Sequence, residues 1–336
     1  MNFAPLVSII IPTYNYGRYI CEAIDSVLSS TFPQSQIEII VVDDGSTDNT
    51  SEKIEVYKDR IQYIFQENSG KAWATKVGIE FASGKYIFNL DADDLFLANK
   101  IQEVVNVFEK DKTIAHVAHP AICWNPNKQV RVIEPIPLRL KGRKILGKEL
   151  LSYFYKRRIL FGGGSTFAGR AEVLKQLPFP KEVDMYTDEY LVLMTLNHGY
   201  SFFLEQPLSV WRIHGDNFSC SSTNVEDASK RSIKTQRNER SMEAVLYSVL
   251  NSNFEEEIKK LYLLKTTVSI MAAREEARQK STADIVNLWL SIPGLVKLFG
   301  YESLGIIKDY SIFNRSLPTS ILEFFKKARR VLRGQQ

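Results

Sequence analysis

From Val7 to Leu90 short β-branched apolar runs alternate with longer stretches of helical periodicity, and this alternation constrains the fold more than any other feature. The runs predict strands at Val7–Pro12, Ile37–Asp43, Gln62–Phe65 and Tyr86–Leu90. Between Arg18 and Ser30 the residues Ile20, Ala23, Ile24, Val27 and Leu28 fall on one helical face. Further helices are predicted at Thr47–Tyr57, Ala72–Ala82 and Lys100–Lys110. Strands joined by helices imply βα units around a mostly parallel sheet, and runs this apolar imply a sheet covered on both faces.

Beyond Ala115 the pattern is mixed, broken by Pro135 and Pro137 and by the run Gly162-Gly163-Gly164. From Val225 to Lys280 the chain is rich in Glu, Lys, Arg, Ala and Leu without Pro or Gly, which predicts two or three helices. A boundary near Ser222 would divide the chain into an α/β domain, 1–222, and a helical region, 223–336. With 44% hydrophobic and 24% charged residues the chain can bury a core. Cys21, Cys123 and Cys220 stand at no metal-ligand spacing and suggest no disulfide framework. No spanning-length apolar run and no signal-peptide pattern are present, so a cytoplasmic or peripheral protein is expected.

The net charge of +4 resides in the last sixteen residues, where Lys326, Lys327, Arg329, Arg330 and Arg333 face only Glu323. A neutral body argues against nucleic acid as a partner. The basic residues alternate with Ile321, Leu322, Phe324, Phe325, Ala328, Val331 and Leu332 at near-helical spacing. Such a helix either lies on an anionic membrane or docks on the protein with its basic side solvated. Ile285–Phe299 offers a second apolar surface.

Two predicted strands run straight into acids: Asp43-Asp44-Gly45-Ser46-Thr47-Asp48 after the second, and Asp91-Ala92-Asp93-Asp94 after the fourth. In open α/β sheets ligands bind at these carboxyl ends. A helix start, with Ser46 as N-cap and Asp48 near the helix dipole, accounts for only part of the first motif. Three carboxylates within four residues repel one another unless compensated, either by a hydrogen-bonded turn or by a hard cation such as Mn²⁺ or Mg²⁺ shared with a diphosphate.

These motifs, together with Ser8-Ile9-Ile10-Ile11-Pro12-Thr13-Tyr14-Asn15, Asn68-Ser69-Gly70-Lys71 and Gly84-Lys85-Tyr86-Ile87, resemble the inverting family 2 glycosyltransferases. The resemblance implies a GT-A fold and transfer of a sugar from a nucleotide donor, UDP-linked, to an acceptor hydroxyl. It implies Pro12, Thr13 and Tyr14 beside the nucleotide, Asp44 on the uracil N3 hydrogen, Asp91 near the ribose and Asp93 on the metal, with Asp94 in support. Thr187-Asp188-Glu189-Tyr190 resembles the segment that carries the family's general base. Counting back six residues from Met194 and eleven from Gly199 puts that base at Asp188, and Glu189 is then either an alternative base or a surface residue.

The chain departs from the pattern at Thr75-Lys76, where Arg-Asn is frequent, and at Thr187 and Met194, where an acid and an Arg are frequent. Lys76 is retained as a candidate phosphate contact. Trp211-Arg212-Ile213-His214 resembles the family's Arg-x-His strand, which implies Arg212 on the diphosphate and His214 near the metal, before a loop with Asn217 and Ser219. Gly162-Gly163-Gly164-Ser165 corresponds to the acceptor side or to a plain turn before a strand. The implied setting is bacterial surface polysaccharide or glycolipid synthesis, with a saccharide or lipid-linked saccharide as acceptor. A non-catalytic sugar- or partner-binding subunit is the alternative that Thr75, Thr187 and Met194 leave open.

Overall fold

The computed structural model describes residues 4–157, 161–214 and 228–276. The tail from Ile321, the segment Ile285–Phe299 and the loop with Asn217 and Ser219 lie outside them. The described residues divide into two compact units, 4–154 with 161–214, and 155–157 with 228–276.

In chain order the first unit forms β1 (Val7–Thr13), α1 (Ile20–Leu28), β2 (Ile37–Asp43), α2 (Thr50–Ile54), β3 (Gln62–Phe65), α3 (Lys71–Phe81), β4 (Tyr86–Asn89), β5 (Leu95–Phe96) and α4 (Lys100–Lys110). There follow β6 (Ile114–Ala118), β7 (Ala121–Asn125), β8 (Val130–Ile133), β9 (Lys144–Leu146), α5 (Gly147–Arg157, whose last three residues count with the second unit), β10 (Ala168–Arg170), α6 (Ala171–Leu174), α7 (Thr187–Leu196), β11 (Tyr200–Phe203) and β12 (Ser209–Arg212). The strand order of the main sheet is β3-β2-β1-β4-β10-β6-β11-β9, and that of a smaller sheet is β5-β12-β7-β8. The pairs β3·β2, β2·β1 and β1·β4 are parallel, whereas β10 runs antiparallel to both β4 and β6. The mixed α/β architecture expected from the sequence is therefore present, with one reversed strand in the middle of the sheet.

Strand β1 shows how the sequence builds this core. Its odd residues Val7, Ile9 and Ile11 join Ile20, Ala23, Ile24 and Val27 of α1 and Val104, Val105 and Phe108 of α4 in one buried cluster. On the other face Ile10 meets Gly78 of α3. Period-2 side chains thus feed two helical layers, and each fully buried Ile or Val contributes about 1.5–3 kcal/mol. Strand β3 departs from the expectation of burial on both faces: it is the sheet edge, with Tyr63 and Phe65 exposed.

The chain leaves β1 for β2 on one side and returns to β4 on the other, so the order reverses beside β1. Crevices at such reversals are where open α/β sheets take ligands. Thr13, Asp43 and the turn after β4 all stand at that rim.

The second unit contains α8 (Ala228–Leu250) and α9 (Glu256–Glu276), which pack against each other. Met242, Val245 and Val249, and Ile258, Leu261 and Tyr262, are buried at helical spacing. Among the described residues no helix is long and apolar enough to cross a membrane.

Candidate active site

The turn after β2 shows two acids with different work. Asp43 accepts hydrogen bonds from the Ser46 amide (2.8 Å) and the Tyr63 hydroxyl (2.8 Å), which closes the turn. Asp44 is buried. Its Oδ1 accepts from Gln66 Nε2 (2.6 Å) and the Ser69 amide (2.8 Å), and its Oδ2 accepts from the Gly70 amide (2.8 Å). Nearby, Thr13 Oγ1 and Gln66 Oε1 are buried with no hydrogen-bond partner. Pro12 lies in β1 beyond the last residue paired with β4, where a missing amide proton costs no ladder bond on that side, and Tyr14 is 45% exposed at the rim.

Ser46 is not the helix cap that the sequence suggests. Its Oγ accepts from the Asn15 amide, and α2 begins only at Thr50, whose amide and hydroxyl are taken by Asp48. The second oxygen of Asp48 accepts from the Gly17 amide (3.0 Å), so this acid ties the turns after β1 and β2 together.

The turn after β4 is pinned from behind. Ser165 Oγ accepts from the Asp91 amide (2.9 Å) and donates to Asp94 Oδ2 (2.6 Å), while the Arg212 amide donates to Asp94 Oδ1 (3.0 Å). Asp94 is buried, and desolvation together with the Asp91 and Asp93 charges pushes its carboxyl well above the usual range. Below it Lys100, fully buried, donates to Ser165 O (2.5 Å) and Ser209 Oγ (3.1 Å) and lies 3.4 Å from the centre of the Phe96 ring. Burial lowers the Lys100 pKa well below its ordinary value, against the pull of Asp94 and Asp91.

Asp93 contacts His214, Nε2 to Oδ2 3.1 Å. Desolvation and Asp91 raise its pKa, and the His214 bond opposes them. His214 stacks on Tyr19 at 4.7 Å, and the Arg212 guanidinium lies 4.9 Å from the same ring, so the two residues do share a face. Arg212 Nη2 donates to Glu22 of α1 at 2.7 Å.

Asp188 is the second residue of α7 and faces this rim. Its Oδ1 accepts from Lys71 Nζ at 3.1 Å, and the same ammonium reaches Asp91 at 2.9 Å. The side chains of Lys71 and Asp188 remain 36% and 38% exposed. The Gly164 amide also hydrogen-bonds Asp188. Burial raises the Asp188 pKa; Lys71 opposes this and Asp91 adds to it. Burial weakens the Lys71 ammonium, but Asp188 and Asp91 more than offset it, so Lys71 stays protonated. Glu189 is buried, which removes the surface-residue alternative for it.

The structure therefore gathers Asp44, Asp91, Asp93, Asp188, Arg212 and His214 with Pro12, Thr13 and Tyr14 at the carboxyl rim of β1, β2 and β4. It does not bring Lys76 to these acids. Five residues on from Lys71 is about 140° around a helix, and Lys76 pairs with Glu80 and lies over the Trp73 ring. Thr75 is buried and returns its hydroxyl to the Lys71 carbonyl (2.8 Å).

The profile of the family described as "Glycosyl transferase family 2" matches residues 8–177, half of the chain. The chain belongs to glycosyltransferase family 2. An uncharacterized glycosyltransferase of Nostoc sp. is 34% identical over 234 residues, covering 67% of this chain and 70% of that protein. Another, of Rickettsia prowazekii, is 46% identical over 108 residues but covers only 32% of this chain and 33% of its own length. Among solved structures, S. aureus TarS residues 1–349 superpose with a TM-score of 0.59 at 15% identity, covering 90% of this chain and 91% of that one. The mannosyltransferase PcManGT of Pyrobaculum calidifontis, solved with GDP-Man and Mn²⁺, gives 0.52 at 18% identity, covering 92% and 86%. These likenesses establish the GT-A fold of a family 2 glycosyltransferase.

In the sequence Lys71 and Ser165 stand within the quoted motifs but neither is given a role there, and Lys100 is unremarked except as the start of a helix. For Lys71 a signal is present, a Gly-Lys pair opening a helix at the rim of the sheet. Ser165 carries a weaker one, following three glycines, and Lys100 looks like an ordinary polar helix start.

Proposed function

We propose that this glycosyltransferase inverts the anomeric centre of a UDP-linked sugar by direct transfer to an acceptor hydroxyl. The observation that carries the reading is Asp188, a half-exposed carboxylate held by Lys71 within one ammonium's reach of Asp91, at the carboxyl rim of β1 and β4. Asp188 takes the hydroxyl proton, and the oxygen attacks the anomeric carbon opposite the leaving diphosphate in a single displacement. An α-linked donor then gives a β-glycoside.

Pro12, Thr13 and Tyr14 line the nucleotide. Asp44 accepts the uracil N3 hydrogen on Oδ2, which receives one amide bond where Oδ1 receives two hydrogen bonds. Asp91 takes the ribose and Arg212 borders the diphosphate. TarS has been solved with UDP-GlcNAc, which supports a uridine donor.

Among the described residues no group of three or more His, Cys, Asp or Glu forms a ready metal site. Asp93 and His214 nevertheless fit Mn²⁺ or Mg²⁺: a hard carboxylate oxygen and an imidazole nitrogen face one another, and Asp93 is raised by desolvation and an adjacent like charge. When bound, such an ion stabilises the charge of the leaving diphosphate. The acceptor is a saccharide or lipid-linked saccharide of a bacterial surface polymer or glycolipid, reached from the cytoplasmic face of the membrane through the basic tail.

A thermal-shift panel of UDP, GDP and their sugars with Mn²⁺, followed by UDP-sugar hydrolysis, tests the reading. UDP ligands should raise the melting temperature. Asp188→Ala should keep that response and lose about 10²-fold or more in turnover, and Asp93→Ala should lose the Mn²⁺-dependent part of binding. Hydrolysis indifferent to both substitutions would refute the roles of Asp188 and Asp93, and nucleotide binding without any hydrolysis would leave a binding subunit.

A further inference from the structure

Lys71 opens α3, and its backbone is fixed from several directions. Asp44 accepts the amide protons of the two residues before it, Ser69 and Gly70. Gly70 has φ +91°, a backbone conformation that L side chains rarely adopt, and the Asp184 carboxylate lies against it. Thr75 holds the Lys71 carbonyl. The ammonium is thus delivered between carboxylates on two different elements, at 2.9 Å from Asp91 and 3.1 Å from Asp188.

A partly exposed ion pair adds little to stability. One ammonium shared by two acids does something else: without it Asp91 and Asp188 repel across an open cleft. The groups that face Asp188 are Lys71 from α3, Asp91 from the turn after β4 and the Gly164 amide from the 162–166 turn. Lys71 is the cation among them, and it takes Oδ1. The other oxygen, Oδ2, lies 3.2 Å from where a Cβ on Gly164 would be, on the side left open by that glycine.

Resting on the glycosyltransferase reading above, we propose that Lys71 is a positioning residue of the transfer reaction. Its ammonium holds Asp188 by Oδ1 so that Oδ2 is presented to the acceptor hydroxyl, and Asp44, by gripping the two preceding amides, sets that placement from the nucleotide end of the cleft. Removing the cation turns Asp188 into a weaker acid and also releases Asp91, the acid assigned to the ribose.

The test uses the full chain and the variants Lys71→Met, Lys71→Gln and Lys71→Arg. The Asp188 carboxyl is titrated by ¹³C NMR, with Asp188→Asn identifying its signal, and UDP affinity is measured by calorimetry with Mn²⁺. In Lys71→Met the Asp188 titration should rise by about one pH unit or more, since an opposing charge at this distance typically moves a carboxylate by 1–3 units. Lys71→Gln should match it, and serves as the neutral variant if Lys71→Met does not fold. Lys71→Arg should restore at least half of the shift, and UDP affinity, measured alongside, reports the separate effect of Lys71 on Asp91. UDP binding with an unmoved Asp188 titration in the neutral variants overturns the role of Lys71 alone. A wild-type chain that binds no nucleotide overturns the donor reading and this inference with it.

Discussion

At His116 the protonation state follows from the partners. A carbonyl oxygen only accepts, so Nε2 carries the proton toward Gly162 O (3.0 Å) and Nδ1 accepts from the Ser201 hydroxyl (2.7 Å). Burial pushes the imidazole pKa down to about 4, with the Gly162 bond opposing it. The folded value lies below the unfolded one, so this histidine's contribution is complete above pH ~6.5 and is lost as pH falls toward 4, in total about 3 kcal/mol. Denaturant melts at pH 7 and pH 4.5 of the wild type and His116→Gln should therefore converge in stability by up to that amount on acidification. Asp93, Asp188 and Glu134, whose pKa values are raised, act in the opposite sense but are common to both proteins. A stability difference that does not change with pH would contradict a buried neutral imidazole. Nothing in the sequence marks this residue: His116 and Lys100 are single basic side chains whose surroundings arise only when β6, β11 and α4 pack. Asp44 and Asp91 were legible as rim residues because a carboxylate directly after an apolar strand marks the carboxyl end of a sheet, whereas Asp188 was picked out only by the family resemblance and the spacing to Met194 and Gly199.

The 162–166 turn links His116 to the cleft. His116 holds Gly162, Ser165 holds the turn after β4, and Gly163 and Gly164 lie against Asp188. The turn precedes β10, as one reading of the glycine run expects, and Gly163 and Gly164 lie beside Asp188. Gly164 has φ +51°, and an added Cβ would meet Asp188 Oδ2 at 3.2 Å and Asp91 Oδ2 at 3.5 Å. Alanine in the left-handed region costs about 1–2 kcal/mol. Gly164→Ala should thus lower stability by that modest amount in a denaturant melt while reducing UDP-sugar hydrolysis about tenfold or more, because its methyl stands where a 1 Å misplacement of reactants is felt. Equal losses in the two measurements would make this turn structural only. Element by element, β1 to β4 were legible to within a residue, since period-2 apolar runs ending in polar turn residues fit few structures besides a strand. Strand β10 was not: its three residues, Ala168–Arg170, carry no pattern and become a strand only by pairing with β4 and β6. The start of α2 was misplaced because Asp48, not Ser46, satisfies the first amide.

For the whole molecule the distribution of charge matters more than its total. The net +4 belongs to residues 321–336, and the rest of the chain is neutral. A neutral catalytic body has no long-range attraction for an anionic surface, so any such attraction must come from the tail. Each Lys or Arg near an anionic leaflet contributes about 1 kcal/mol, an effect that fades within a Debye length of roughly 8–10 Å at physiological salt. Read from sequence alone, five cations offset by Glu323, beside Leu322, Phe324, Phe325, Val331 and Leu332, would supply the electrostatic and apolar parts of an interfacial helix. The full chain should then sediment with phosphatidylserine-containing vesicles at low salt, less so at about 0.5 M salt, and weakly with neutral vesicles. Deleting 318–336 should abolish this sedimentation while preserving the thermal response to UDP and Mn²⁺, since the residues assigned to the donor all lie between Pro12 and His214. Sedimentation unchanged by the deletion would place the lipid-facing surface elsewhere. Loss of nucleotide response together with sedimentation would instead mean that the tail supports the fold, as expected for a helix docked on the protein.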